Sequence, residues 1–297
     1  MIVLTVNSGS SSVKLDVFDG DPAGCHRRSG RRLEGTADTG ALAEVLRESG
    51  PVDAVAHRVV HGGPRFAATV RVDAEVQAAI GALREIAPLH NGLAHEWIVA
   101  ARAATGPSTA HFAVFDTAFF AGLPEPSRAY ALPRAVVERF GLRRYGFHGL
   151  AHDGMWRRLC ALRPQFAPAG RAITFQLGAG CSAAAIVGGS PVETSMGFTP
   201  LEGLVMATRS GSFDPGILTF LLRGGMTAEE LDVMLTRESG LLGMAGDGDM
   251  RRVMARRDAP ARLAIDVYCR AARHQLGAYL AALGGAHAVA FGGGVGE

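Results

Sequence analysis

A short apolar run opens the chain and stops abruptly at a polar turn. Residues 2–6 (I-V-L-T-V) precede N-S-G-S-S-S at 7–12, and apolar residues at 13, 15 and 17 then alternate with Lys14 and Asp16. A continuous apolar run and a period of two both indicate β-strands. The pattern therefore predicts a β-hairpin whose tip is the serine-rich turn.

A similar hairpin is predicted in the second half of the chain. Residues 173–175 lead into Q-L-G-A-G-C-S at 176–182, and an apolar run follows at 183–187. Placing Asn7 on Gln176 puts Gly9 on Gly178 and Ser12 on Cys181. Two such hairpins indicate a duplicated domain with phosphate loops facing each other across a cleft. The alternative is that glycine turns are simply frequent in a chain with 39 glycines.

Helical and strand periods alternate along the rest of the chain. Apolar strands are predicted over 53–60, 111–115 and 288–291, and helices over 73–86, 133–141 and 261–283. Pro133 and Gly141 stand where helices prefer to begin and end. Thr227 and Glu230 have the spacing of a capping box ahead of another helix. This alternation predicts an α/β protein.

Composition excludes several classes of protein. With 297 residues, 48% of them apolar and a net charge of +2, the chain is expected to be globular and not to bind nucleic acid. No apolar run approaches about 18 residues and no basic segment precedes the first strand, so neither a membrane span nor a signal peptide is expected. The four cysteines lack metal-ligand spacing, which favours reduced thiols and a cytoplasmic location. The basic cluster at 27–32 is predicted to be a solvated loop.

The basic residues comprise 29 arginines and a single lysine, Lys14, which directly follows the first serine-rich turn. Glycine and serine turns offer backbone N–H groups and hydroxyls to an anion, and an ammonium group adds positive charge. A compact ammonium also fits where the planar fork of arginine does not. The first hairpin is therefore predicted to bind phosphate.

Further residues have the chemistry of phosphoryl transfer. Arg58 lies within an apolar strand, and Arg209 lies beside a glycine turn; each is either half of a structural ion pair or an anion clamp. His148 stands between glycines, and Asp116 follows a predicted strand. Two arginines, a histidine, an aspartate and three glycine-rich turns together match the needs of phosphoryl transfer.

Eight motifs in series resemble those of the acetate kinase family. They are N-S-G-S-S-S-V-K (7–14), H-R-V-V-H-G-G (57–63), P-L-H-N (88–91), F-D-T-A-F (115–119), R-R-Y-G-F-H-G (143–149), T-R-S-G-x-x-D-P (208–215), D-M-R (249–251) and G-G-G-V-G-E (292–297). The family is grouped with sugar kinases, heat-shock ATPases and actin. The resemblance implies two duplicated actin-like (RNase H-like) lobes, 1–119 with the carboxylate site and 120–297 with the adenosine site, around an interlobe nucleotide cleft.

The resemblance also implies reversible, ATP-dependent phosphorylation of acetate or a short homologue to an acyl phosphate, by a homodimer that uses Mg²⁺. The residues that it places at the metal and the phosphates are Asn7 as metal ligand, Ser10, Ser12, Lys14, Gly178 and Gly180. Those implied to be catalytic are Arg58, Asp116, His148 and Arg209. The acyl pocket would be formed by Val60, Leu89, Phe147 and Pro200, and the adenosine region by Asp249, Met250, Arg251, Gly293 and Gly294.

The chemistry needs no general base. A carboxylic acid has a pKa of about 4, so the attacking carboxylate is already ionised at neutral pH. Its difficulty is repulsion from an anionic phosphate, which arginines and Mg²⁺ relieve. Asp116 is therefore assigned to positioning an arginine or a metal-bound water.

Four departures from the family pattern remove polar groups near the expected cleft: Phe120, Gln176, Ala179 and Ser212. The family's chains also continue past the last glycine motif with an asparagine–glutamate sequence whose glutamate helps to hold Mg²⁺. Either this protein ends at Glu297 without that ligand, or its sequence is truncated. These departures favour the alternative of a catalytically impaired, nucleotide-binding member with a regulatory or interaction role. A sugar kinase is disfavoured, because no polar sugar-binding cluster is present.

Overall fold

Two compact units, Met1–Phe119 and Phe120–Glu297, make up the chain. The computed structural model describes residues 1–9, 12–21, 24–34 and 38–296. The strands are β1 Ile2–Ser8, β2 Ser12–Asp21, β3 Gly24–Glu34, β4 Ala54–Val59, β5 Val70–Arg71, β6 Ala110–Phe115, β7 Arg171–Leu177, β8 Cys181–Val187, β9 Ser190–Thr194 and β10 Ala288–Gly292.

The α-helices are α1 Thr39–Ser49, α2 Ala74–Ala82, α3 Pro88–Thr105, α4 Glu125–Arg128, α5 Arg134–Phe140, α6 Gly149–Leu162, α7 Gly216–Arg223, α8 Ala228–Arg237, α9 Gly240–Ala245, α10 Met250–Ala255 and α11 Ala259–Leu283. Short 3₁₀ turns cover Leu83–Glu85, Ala118–Phe120 and Pro164–Phe166. Within the described ranges, no helix is long and apolar enough to cross a bilayer. The α/β class predicted from the sequence is confirmed.

A mixed sheet of order β3-β2-β1-β4-β6-β5 forms the first unit. The strands β1, β4 and β6 are parallel neighbours, whereas β2, β3 and β5 pair antiparallel. Alternate residues of β1 and β2, including Leu4 and Leu15, pack in a buried core with Leu42 of α1 and Trp97 of α3. The carboxyl ends of the three parallel strands therefore meet at one edge of the sheet, where such folds bind ligands.

Two buried histidines contact each other within this sheet. His57 of β4 and His111 of β6 stack with ring centroids 5.3 Å apart, and His57 Nε2 lies 3.0 Å from His111 Nδ1. Burial, reinforced by His111, lowers the pKa of His57 to about 3, and burial with nearby Arg102 lowers the pKa of His111 to about 4. Both imidazoles are therefore neutral in the folded protein.

This pair predicts a loss of stability in mild acid. The folded-state pKa values lie below the ordinary 6.5, so the unfolded chain takes up protons first as the pH falls. The contribution is fully present above about pH 6.5, and His57 alone should account for about 2 kcal/mol lost between pH 7.5 and pH 5. Urea unfolding at the two pH values measures it. His57→Gln, whose amide does not titrate, should show a smaller pH dependence, and an unchanged one would contradict the assignment.

The second unit contains a sheet of order β10-β7-β8-β9. In it β10 pairs parallel with β7, and β8 pairs antiparallel with β7 and β9. The helices α6 and α11 contact β7. Gly141 in the left-handed conformation ends α5, and a capping box of Thr227 and Glu230 begins α8, as predicted.

The two sheets share one topology, which supports the duplication inferred from the sequence. In order, β4, β1, β2 and β3 of the first sheet correspond to β10, β7, β8 and β9 of the second. Each pair of neighbours is parallel or antiparallel in the same way in both sheets. The predicted alignment of Ser12 with Cys181 is wrong by one position, however. Asn7 pairs with Lys14, whereas Gln176 pairs with Ser182, because the second turn is one residue shorter. Ser182 therefore occupies the place of Lys14.

The basic segment at 27–32 is a strand and not the predicted loop. It belongs to β3, which pairs with the outer side of β2 and is exposed along most of its length. Its sequence lacks apolar alternation, because neither face is buried. Arg27 binds Asp16 of the neighbouring strand at 2.6 Å, and Arg31 binds Glu44 of α1. Charged side chains on an edge strand hinder pairing with other chains.

Candidate active site

The first hairpin aligns three polar side chains across neighbouring strands. Asn7 of β1 pairs in register with Lys14 of β2 on one side and with Arg58 of β4 on the other. Because the neighbouring residues Val6 and Val13 belong to the buried core, these three side chains lie on the opposite face of the sheet. The N–H of Gly9 donates to the carbonyl of Ser12 at 2.9 Å and closes the turn. The predicted phosphate-binding residue Ser10 lies outside the described residues.

Arg58 is held from two sides. Its Nε and Nη2 donate to the two carboxylate oxygens of Asp116 at 3.0 and 2.6 Å, and its Nη1 donates to Asn7 Oδ1 at 3.0 Å. Burial opposes the charge, but the carboxylate outweighs it and raises the pKa of Arg58. Asp116 is 1% exposed and Arg58 24% exposed. A guanidinium has more donors than these three contacts use, so Arg58 can still bind an anion.

The loop after β4 is fixed by side chains from elsewhere in the first unit. Asn91 accepts from the N–H of His61 at 3.1 Å and donates to its carbonyl at 2.8 Å. Thr117 Oγ1 accepts from the N–H of Gly62 at 2.9 Å. The predicted pocket residue Val60 begins this loop and is buried. The side chain of Leu89, the second pocket residue of this unit, lies outside the described part of the chain.

The second hairpin lies against His148 and Arg209. The N–H of Gly178 donates to the carbonyl of Gly180 at 3.0 Å across the turn. A Cβ added to Gly180 would lie 3.2 and 3.3 Å from Cε1 and Nε2 of His148 and 3.6 Å from Nη1 of Arg209. Glycine at this position therefore lets both side chains approach the turn.

His148 is the non-glycine residue with a positive φ, 59°, among the described residues, and it directly precedes α6. Such a conformation is strained for most side chains and occurs often at functional sites. Its Nδ1 lies 2.8 Å from Ser182 Oγ. The predicted pocket residue Phe147 is buried beside it.

Arg209 is a partly buried cation that forms no ion pair with any acidic side chain of the described chain. Its Nη1 donates to the carbonyl of Pro200 at 2.9 Å and approaches Met206 Sδ at 3.6 Å. Burial lowers its pKa, opposed in part by the Cys181 thiol. A desolvated guanidinium that only neutral groups contact attracts an anion.

The whole chain is similar to known acetate kinases. Residues 31–297 match the model of the acetokinase family. The acetate kinases of Pseudarthrobacter chlorophenolicus and Micrococcus luteus are both 44% identical to it, with all of this chain aligned to 83% and 82% of theirs. The chain belongs to the acetokinase family.

Solved structures of this family share the fold. Acetate kinase from Porphyromonas gingivalis superposes with a TM-score of 0.87 at 36% identity, and a propionate kinase from Francisella tularensis with 0.89 at 33%. Each comparison covers all of this chain and 84% of the solved one. The actin-like fold expected from the sequence is confirmed.

The residues that the sequence predicts to bind the adenosine of ATP lie at two places in the second unit. Asp249 caps α10 by accepting from the N–H of Arg251 at 2.9 Å, and its carboxylate pairs with the exposed Arg251 side chain at 3.0 Å. Met250 is buried. Gly293 follows β10 with a φ of 83°, and a Cβ there would lie 2.4 Å from the carbonyl oxygen of Leu177, so glycine is required. Gly294 has open space around it.

All four departures from the acetokinase pattern have defined contacts. Gln176 lies against the terminal glycines, since a Cβ on Gly293 would be 2.8 Å from its Nε2. Phe120 is buried and packs edge-on against His152, with ring centroids 5.8 Å apart. Ser212 Oγ accepts from the N–H of Gly203 at 2.9 Å. Ala179 contributes its carbonyl, which accepts from the N–H of Ala207 at 3.0 Å.

No motif of the sequence indicated Ser182, His152 or Thr174, which the fold connects to His148. His152 Nε2 lies 2.9 Å from Ser182 Oγ, and His152 Nδ1 lies 2.7 Å from Thr174 Oγ1. The spacing of His148 and His152, four residues apart at the start of a helix, was the one available signal.

Gly180→Ala is expected to lower kcat about tenfold with little change in stability, because the added methyl group displaces His148 by a few tenths of an ångström from its position at the turn. Steady-state kinetics and thermal unfolding measure the two effects. Gly154→Ala, on the open side of α6, is the matched control. It should retain wild-type kcat and gain up to about 1 kcal/mol. Equal kcat in both variants would contradict the placement of His148.

Proposed function

We propose that this chain phosphorylates acetate or a short homologue with ATP, by direct in-line transfer of the γ-phosphoryl group, and catalyses the reverse reaction. The observation that carries the proposal is Arg209, a partly buried guanidinium whose described contacts are a carbonyl and a thioether. A cation held in this way matches a reaction whose reactants are a carboxylate and a polyphosphate. The retained arginines and the family match over residues 31–297 favour an active kinase over an impaired member.

Arg58 and Arg209 differ in their contacts and in the roles that we propose for them. Asp116 and Asn7 fix the direction of the Arg58 guanidinium, and the Asp116 carboxylate neutralises part of its charge. Arg209 retains its full charge beside the second hairpin and His148. We assign Arg58 to orienting the carboxylate and Arg209, with His148, to the transferring phosphoryl group. Ser12 and Lys14 of the first hairpin and Gly178 and Gly180 of the second would contact the phosphates.

Asp116 acts by positioning in this mechanism. Both of its oxygens accept from Arg58, which supports the arginine-orienting role expected from the sequence. A carboxylate substrate with a pKa of about 4 has no proton to remove at neutral pH. The remaining barrier is charge repulsion, which the two guanidinium groups reduce.

The predicted metal ligand, Asn7, already contacts a cation. No group of three His, Cys, Asp or Glu side chains is placed to hold an ion within the described ranges. Asn7 Oδ1, the predicted ligand, accepts from the Arg58 guanidinium, and a second cation there would be repelled. We therefore propose that Mg²⁺ enters as the ATP complex, on phosphate oxygens.

Val60, Leu89, Phe147 and Pro200 remain the proposed acyl pocket. An apolar pocket separates acids that differ by one methylene by only about 1–3 kcal/mol. Relatives named acetate kinase and propionate kinase resemble this chain, so both acids are proposed substrates. The homodimer and the cytoplasmic location expected from the sequence stay predictions.

The activity is tested by trapping the product. The protein is incubated with ATP, Mg²⁺ and acetate, propionate or butyrate in the presence of hydroxylamine, which converts an acyl phosphate to a coloured hydroxamate. We expect hydroxamate from acetate or propionate that depends on ATP, and about 10³-fold less from Arg209→Ala. ATP binding without product from any of the three acids would support the impaired alternative and contradict the proposal.

A further inference from the structure

A chain of polar side chains connects His148 to the interior of the second unit. His148 Nδ1 lies 2.8 Å from Ser182 Oγ, which lies 2.9 Å from His152 Nε2. His152 Nδ1 in turn lies 2.7 Å from Thr174 Oγ1. The last hydroxyl also approaches the carbonyl of Ala184 at 3.5 Å, the limit of a hydrogen bond.

The inner residues of this hydrogen-bonded series have no access to solvent. His152, Ser182 and Thr174 are each 0% exposed. Phe120 covers one edge of the His152 ring. A buried polar group that lacks a hydrogen bond costs about 1–3 kcal/mol, so the protons must be arranged to satisfy every contact of the chain.

The single proton of Ser182 restricts that arrangement. A serine hydroxyl donates one hydrogen bond and accepts others, and here both of its near neighbours are imidazole nitrogens. Ser182 therefore donates to one histidine and accepts from the other. When both rings are neutral, just one of His148 Nδ1 and His152 Nε2 carries a proton.

Two arrangements satisfy this condition. In the first, both histidines are protonated at Nδ1: His148 donates to Ser182, Ser182 donates to His152, and His152 donates to Thr174. In the second, both are protonated at Nε2 and every hydrogen bond runs the other way, from Thr174 towards His148. The two rings thus always carry their proton on the same nitrogen.

The second arrangement costs little. Among the contacts of the described residues given above, it keeps the three short ones and gives up the 3.5 Å bond from Thr174 to the carbonyl of Ala184. In return His148 carries a proton at Nε2, the atom that faces the Gly180 turn near Arg209 Nη1. A phosphoryl oxygen accepts hydrogen bonds and does not donate them when ionised, so its presence selects this arrangement.

We propose that Ser182, His152 and Thr174 are positioning residues that let a neutral His148 donate from Nε2 to the transferring phosphoryl group. The identity of that anion rests on the proposed function, whereas the coupling of the two rings rests on the hydrogen bonds alone. His148 then needs no proton from solvent, and its hydrogen bond persists above the ordinary histidine pKa of about 6.5.

The coupling is tested by ¹⁵N NMR of the full chain labelled in histidine, since nitrogen shifts distinguish protonated from unprotonated ring nitrogens. Spectra are recorded at pH 8 with and without Mg²⁺ and a non-hydrolysable ATP analogue, and His148→Asn and His152→Asn assign the signals. We expect one tautomer shared by both rings in each state, and the Nε2–H form with the analogue. Different tautomers on the two rings, or a doubly protonated His148 with the analogue, would overturn the proposal.

Kinetics of two serine variants separate positioning from packing. Ser182→Ala removes the coupling hydroxyl and should lower kcat about tenfold, with a smaller change in KM, and should release the two rings from a shared tautomer. Ser195→Ala is the matched control. The buried hydroxyl of Ser195 accepts from the N–H of Ala183 at 2.8 Å and does not belong to the hydrogen-bonded series of His148, Ser182, His152 and Thr174. It should keep wild-type kcat and the shared tautomer.

The dependence of kcat on pH provides an independent readout. With a neutral donor, wild-type kcat should stay level from pH 7 to pH 8.5. A tenfold fall per pH unit would show that His148 acts as a cation and would contradict the proposal. If no acid is phosphorylated, the proposed function fails while the NMR result still decides the coupling of the rings.

Discussion

Replacing Arg209 with alanine is expected to lower kcat about 10³-fold, with a smaller rise in the KM for acetate. Arginines that stabilise phosphoryl transfer contribute about 10³–10⁵ in rate, because charge spreads over the phosphoryl oxygens in the transition state. Arg209 is suited to this because its described partners are neutral and burial lowers its pKa, which signals an uncompensated charge. Its removal should cost little stability, since an unpaired buried charge opposes folding.

The measurement is the initial rate of acyl hydroxamate formation at saturating ATP, with thermal unfolding as a check on folding. Arg157→Ala is the control for loss of one positive charge in the same unit, because Arg157 is 78% exposed and pairs only with Asp153 on its own helix in the described contacts. The control should retain wild-type kcat. A folded Arg209→Ala variant with near wild-type turnover would refute the role of this residue.

Arg58→Ala is expected to lower kcat about 10³-fold as well, but its effect should depend on Asp116. Asp116→Asn keeps the shape of the side chain and removes the charge that holds the guanidinium at 2.6 and 3.0 Å. Breaking a buried pair costs about 3–5 kcal/mol, and the partial exposure of Arg58 places this variant near the lower value. Its kcat should fall because the carboxylate substrate meets a misdirected cation.

A double-mutant cycle tests this coupling. If Asp116 acts through Arg58, the double variant Arg58→Ala with Asp116→Asn should be no slower than Arg58→Ala alone, and should be more stable than Asp116→Asn. Losses in kcat that multiply would instead indicate a separate role for Asp116. Asp16→Asn, which breaks the surface pair with Arg27, should cost less than about 1 kcal/mol and leave kcat unchanged.

Local sequence signals predicted the elements of the fold that depend on neighbouring residues. The first hairpin follows from alternation around a polar turn, and α8 follows from the capping box of Thr227 and Glu230. The helix predicted over 73–86 was less accurate: Asp73 caps it as such residues do, but α2 ends at Ala82 and a 3₁₀ turn follows. Apolar spacing continues through that turn, so periodicity alone does not locate the end of the helix.

Local sequence signals fail to predict an element that is stabilised by contacts with distant residues. Over residues 27–32 the strand β3 has no apolar face, and its pairing with β2 and its ion pairs hold this segment in the sheet. In the same way, the sequence left Arg58 as either an ion pair or an anion clamp. The structure shows an ion pair with Asp116, 58 residues away, with donors remaining for an anion.

Periodicity, turns and ordered motifs are local or additive along the chain, so they were enough to predict the α/β class, the two hairpins, the duplication and the family. Two features became visible only in the folded protein. Ser182 takes the place of Lys14 in the second hairpin. One hydrogen-bonded series joins His148, Ser182, His152 and Thr174. Strand register depends on the number of residues in a turn and on which face is buried. Side chains from α6, β7 and β8 meet only after those choices are made, so no local pattern encodes their contacts.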